Sequence, residues 1–86
     1  MPRTRIEEWM VTGGRRLQGR RADLGLTVEQ VAELCHVSAT TVRRYEAGTS
    51  GVFRPGISRR LADALRVRSL SALYLEGDVQ VLGVER

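Results

Sequence analysis

The stretch from Thr27 to Gly48, TVEQVAELCHVSATTVRRYEAG, leaves the chain little choice of local structure. Thr27 and Gln30 stand at the spacing of a capping box, in which each side chain satisfies a free amide of a helix's first turn. A helix is therefore predicted over Val28 to Cys35. Ser38 is placed to cap the amide of Thr40 or Thr41 at the start of a second helix, Ser38 to Ala47, and Gly48 supplies a left-handed stop beyond it. With only His36 and Val37 between them, two such short helices cannot lie antiparallel and must cross steeply.

The apolar positions agree. Val31, Ala32 and Cys35 share one face of the first helix, and Val42 and Tyr45 form the inner face of the second. Ala32 is small where crossed helices approach each other. If Val42 and Tyr45 point inward, 100° per residue turns Thr40, Arg43, Arg44 and Ala47 to the opposite side. That side is small, polar or cationic and carries no acid. An ordinary solvated helix face is the bland alternative, but turn, caps and cations together point to a polyanion.

The segment from Gly14 to Leu75 resembles the DNA-binding domain of the Cro and phage-repressor (Xre) family. The matching residues are Arg21, the Leu24-Gly25-Leu26-Thr27 run, Val31-Ala32, Val37-Ser38, Val42, Glu46, Gly48, Arg54-Pro55, and the Leu61-Ala62…Leu65-Arg66-Val67 run. The resemblance implies an all-α, five-helix helix-turn-helix domain and an ion pair between Arg21 and Glu46, against the alternative of two unrelated surface charges. It also has two departures. His36 stands where the family usually has a turn glycine, and His tolerates positive φ. The loop after Gly48 is longer than usual, which affects which loop residues reach a DNA backbone.

Composition narrows the partners. The net charge is +4, carried by 14 arginines and no lysine. Between Gly13 and Arg68, eleven arginines face five acids, so the middle of the chain is basic and the ends are net acidic. Arginine suits bidentate contacts to phosphate and guanine. Codon bias accounts for the missing lysine but not for the cluster. The single cysteine, Cys35, excludes an intramolecular disulfide, and with one His36 beside it no metal shell or Cys–His pair can be assembled; Cys35 is expected in the core. No signal peptide, long apolar run, P-loop or dinucleotide turn is present, so no catalysis, cofactor, metal or membrane is expected, and the expected location is the cytoplasm.

The chain divides into an N-terminal extension (1–12), the helix-turn-helix domain (13–76) and a tail (77–86). In the extension, Thr4 and Glu7 make a capping-box spacing that predicts a short extra helix, Arg5 to Val11, ended by a break or kink at Gly13-Gly14. Its Ile6, Trp9 and Met10 face either covers the domain edge or forms a dimer contact, and Arg3 and Arg5 offer a basic arm for a minor groove. The next helix runs from Arg15 to Leu24 with Leu17 and Leu24 buried and Gly25 as its cap. Residues 49–56 form a turn-rich loop in which Val52 or Phe53 covers the core. A helix over Ile57 to Arg66 has Ile57, Leu61, Ala64 and Leu65 inward. Val67 packs inward after it. A last helix, Leu70 to Leu75, is capped by Ser69 and ended by Gly77. The weakly alternating tail reads as a short strand, paired with its twin in a dimer, or as a disordered end.

Three functions compete. The first is a sequence-specific double-stranded DNA-binding regulator, a repressor by occlusion, acting as a homodimer. In it Ala39, Thr40, Arg43 and Arg44 meet bases, Arg44 foremost and bidentate to guanine. Thr27, Ser38, Thr41 and Arg54 meet phosphates. The second is an antitoxin that binds DNA and, through its terminal segments, a protein partner such as a toxin or another regulator. The third is a protein-interaction module without DNA binding.

Overall fold

The caps of the central segment form as their spacing dictates. A computed structural model of the chain describes residues 5–52 and 54–75, which hold five helices: α1 (Arg5–Asp23), α2 (Val28–Cys35), α3 (Ala39–Ala47), α4 (Pro55–Ala64) and α5 (Leu70–Leu75). At the start of α2 the Gln30 amide donates to Thr27 Oγ1 at 3.0 Å, and the Thr27 amide donates to Gln30 Oε1 at 2.8 Å. At the start of α3 the Thr41 amide donates to Ser38 Oγ at 3.1 Å. His36 sits at φ 59° and Gly48 at φ 78°, the left-handed conformation that ends each helix. Ser69 caps α5 by accepting from the Ala72 amide at 3.1 Å.

The core fills between these elements. Leu17 of α1, Val31 and Cys35 of α2, Val42 of α3, Leu61 of α4, and Leu65 and Val67 beyond α4 are almost wholly removed from solvent. Helix α1 packs chiefly on α3 and α5, while α2 lies against α3 and α4. Cys35 is a core residue, and burial pushes its thiol pKa up.

Two expectations are corrected. The separate N-terminal helix and the break at Gly13-Gly14 do not occur, because α1 runs unbroken from Arg5 to Asp23 across the boundary drawn at 12/13. Both glycines are buried, and their missing side chains are what the packing uses. A Cβ on Gly13 would run into the Tyr74 ring, and one on Gly14 into the Tyr45 and Glu46 carbonyls. The glycines thus let α1 lie directly on α5 and on the last turn of α3. Helix α4 begins at Pro55 rather than Ile57. Proline at the first helical position has its φ preset and lacks an amide that would be unpaired there anyway. The same helix ends at Ala64, and Arg66 takes the left-handed turn at φ 57° without being glycine.

Trp9 is half-buried against Tyr74, with ring centroids 4.6 Å apart, so the Trp9 face covers the domain edge, while Ile6 is exposed. Val52 packs against the core. Arg3, Phe53, Gly77 and the tail with its expected strand lie outside the described residues, and no strand occurs among the described ones.

Candidate nucleic-acid interface

Three arginines of α1 are spent on holding the fold. Arg16 donates through Nη1 to the Tyr74 carbonyl at 2.6 Å, and Arg20 through Nε to the Leu65 carbonyl at 2.8 Å. Each satisfies carbonyls at a helix end, where backbone acceptors have no partner of their own and the helix dipole favours a cation. Arg21 forks onto Glu46, with Nε at 2.5 Å from Oε2 and Nη2 at 3.1 Å from Oε1, and gives its Nη1 to the Leu26 carbonyl at 2.8 Å. Little solvent reaches this pair, since the side chains are 15% and 7% exposed. Hydrogen bonding to Glu46 raises the Arg21 pKa, so the guanidinium stays charged. Arg21 therefore ties α1 to the last turn of α3 and to the loop that begins α2.

With α3 fixed in this way, its outward side is defined. Val42, Tyr45 and Glu46 are buried, and Thr40, Arg43, Arg44 and Ala47 are exposed. At 100° per residue, Thr40, Arg44 and Ala47 lie most nearly opposite the buried side, with Arg43 on the flank next to α2. There Arg43 Nη2 donates to Glu29 Oε2 at 2.6 Å, an exposed ion pair across the helix crossing. Arg44 has no acidic partner among the described residues. Ala39 leans against the core and is half-buried.

On the other flank a groove of about 450 Å³ runs between α3 and the loop beyond it, lined by Ser38, Thr41, Ser50, Gly51 and Arg54 among others. Ser38 Oγ and Thr41 Oγ1 are 2.9 Å apart, so the two hydroxyls share one hydrogen bond and keep donor capacity outward. The side chain of Arg54 caps nothing at α4 and carries no acidic partner among the described residues. The first-turn amides of α2 and α3 that no cap reaches, those of Val28, Glu29, Ala39 and Thr40, are left without intrahelical acceptors. Hydroxyls, free amides and a guanidinium are the groups that hold a phosphate. A roomier concavity of about 500 Å³ lies away from this side, between the α1–α2 turn and α4, with Leu24, Leu26 and Leu34 in its wall.

The structure thus brings Thr40 and Arg44 together on the outer stripe and Ser38, Thr41 and Arg54 around one groove. It puts Thr27 at the cap of α2 and pairs Arg21 with Glu46. Sequence reasoning missed Glu29, Ser50 and Gly51. The acid in the first turn of α2 was the available signal for Glu29, but its partner depends on the crossing geometry. Among the described residues there is no cluster of His, Cys, Asp and Glu that could hold a metal ion, and no helix is long and apolar enough to cross a membrane.

Comparison with known proteins adds two findings. Residues 14–72 match the family described as a helix-turn-helix domain. The chain is also 34% identical, over 71 residues, to the HTH-type transcriptional repressor RghR of Bacillus subtilis (strain 168). The match covers 83% of this chain and 53% of that protein, so the chain spans about half the length of the curated relative it matches.

Proposed function

Because the chain belongs to the Xre-type helix-turn-helix family, we propose that it is a sequence-specific double-stranded DNA-binding transcriptional regulator that represses by occupying its site. The observation that carries this reading is the outer stripe of α3. Thr40 and Arg44 project from a helix whose other side is locked into the core and onto Arg21, so they enter a major groove as rigid readers. Arg44 takes guanine through its fork, Thr40 a base edge or thymine methyl, and the half-buried Ala39 lets the start of α3 come close. Thr27, Ser38, Thr41 and Arg54, with the free amides of both helices, hold the flanking phosphates and set the register. The role is binding alone, without a reaction, in the cytoplasm.

One such head covers too few base pairs for useful discrimination, so the protein acts as a homodimer on a palindrome with half-site centres about 10–11 base pairs apart or a multiple of a helical turn. The test is selection of bound duplexes from a randomised pool, followed by sedimentation on the selected site. The reading expects a palindromic consensus, two chains per site, and affinity that falls steeply with salt. Enrichment of no sequence, or binding insensitive to salt, would refute it. One chain per site would refute the dimer alone.

A further inference from the structure

The ion pair across the helix crossing has a consequence for which arginine reads the DNA. Arg43 and Arg44 are adjacent on α3, both exposed and both able to present the same fork. With two guanidiniums 100° apart on α3, the whole domain can dock in two ways, rolled about the α3 axis so that one arginine or the other faces a guanine. Each roll would place the other cation near a phosphate. That degeneracy weakens discrimination, because contacts to phosphate reward every sequence equally. Glu29 removes it. It stands in the first turn of α2, where the helix dipole favours a carboxylate, and receives Arg43 Nη2 at 2.6 Å. The capping box beside it engages only Thr27 and Gln30, so the Glu29 carboxylate is not needed to start the helix.

We propose that Glu29 is a specificity-determining positioning residue: its carboxylate holds Arg43 over α2, so that α3 offers Arg44 alone to the bases and Arg43 is withheld from sequence-independent phosphate contacts. This rests on the DNA-binding reading above. It acts through Arg43: a guanidinium already held by a carboxylate offers less to a phosphate, whatever the sequence, and withholding contacts that reward wrong partners is a general source of specificity.

The experiment compares wild type, Glu29→Gln, Arg43→Ala and the double variant on the selected duplex and on an unrelated duplex, each at several salt concentrations. Glutamine keeps the size and helix preference of glutamate, and circular dichroism checks that each variant folds. Glu29→Gln is expected to tighten binding to the unrelated duplex by about two- to fivefold, the equivalent of releasing one exposed ion pair. Its salt slope there should steepen by about one unit, and the preference for the selected duplex should narrow. In the Arg43→Ala background the same substitution should have little effect. The proposal is overturned if Glu29→Gln leaves the ratio of the two affinities unchanged. It is equally overturned if the full effect persists without Arg43, since the Glu29 charge would then act on DNA directly. Failure of the wild type to bind any duplex would bring down the DNA-binding reading and this proposal with it, a pattern distinct from either of the others.

Discussion

Helix α1 contains three glycines, and the structure gives the same substitution opposite signs at two of them. Gly19 is exposed, and a Cβ there would meet nothing within 4 Å. Gly19→Ala removes the backbone entropy penalty of a mid-helix glycine and should stabilise the domain by about 0.5–1 kcal/mol. At Gly14 the same propensity gain is available, but the new methyl would overlap the carbonyl oxygens of Tyr45 and Glu46. Those atoms are backbone. The Tyr45 carbonyl also accepts the Gly48 amide at 3.2 Å in the C-cap of α3, so it cannot turn aside cheaply. Separating α1 from α3 would stretch the Arg21–Glu46 fork as well. Overpacking of this kind costs roughly 1–3 kcal/mol, and an immovable neighbour puts Gly14→Ala at the upper end, about 2 kcal/mol net of the propensity gain. In a domain of this size about 1 kcal/mol moves the Tm by roughly 4–8 °C. Thermal melts followed by far-ultraviolet circular dichroism should show Gly19→Ala melting a few degrees above wild type and Gly14→Ala roughly 10 °C below it. A Gly14→Ala variant as stable as wild type would refute the close seating of α1 on α3.

Two further outcomes follow from buried polar groups. Arg21→Met leaves the Glu46 carboxylate, 7% exposed, without its cation and should cost about 3 kcal/mol. In a double-mutant cycle with Glu46→Gln by urea denaturation the coupling should exceed about 1 kcal/mol, and a value near zero would reduce the pair to two independent charges. The Tyr74 hydroxyl is buried with no hydrogen-bond partner among the described residues, and burial pushes its pKa up to about 12. The folded state keeps this proton above pH ~10, where the unfolded chain begins to lose it. The stability that Tyr74 confers is therefore complete below that pH and is lost as pH rises through about 12. Tyr74→Phe should match or exceed wild type at neutral pH, by up to about 1 kcal/mol, and should flatten this alkaline decline; an equally steep decline in the variant would contradict the assignment.

What was legible in the sequence was local. Thr27 with Gln30, Ser38 with Thr41, and Gly48 announce helix ends through contacts three or four residues long, and α2 and α3 have the bounds those contacts impose. The outward stripe of α3 follows from the same periodicity. What depended on distant partners was not legible. Gly13-Gly14 reads as a break because a glycine pair usually is one, and only Tyr74 and the end of α3 turn it into a packing surface. Nothing near Arg16 or Arg20 in sequence signals that they serve carbonyls more than forty residues away. The sequence already favours Arg44 over Arg43 as a reader, but the acidic partner of Arg43 emerges only where the crossing of α2 and α3 brings Glu29 to it.

If α3 reads bases while its flanks hold the backbone, two arginines that composition cannot tell apart must fail in different ways. Arg44 projects from the outer stripe, and Arg54 lines the groove beside Ser38 and Thr41. The measurement is binding of wild type, Arg44→Ala and Arg54→Ala to a randomised duplex library at several salt concentrations. Arg44→Ala should cost about 1–3 kcal/mol on the preferred site and relax selection at one base pair per half-site. Arg54→Ala should weaken all sequences alike, leave the preferred site unchanged, and lower the salt slope by about one unit. If Arg44→Ala keeps the preferred sequence intact while Arg54→Ala alters it, α3 does not lie in the groove as its exposed face requires.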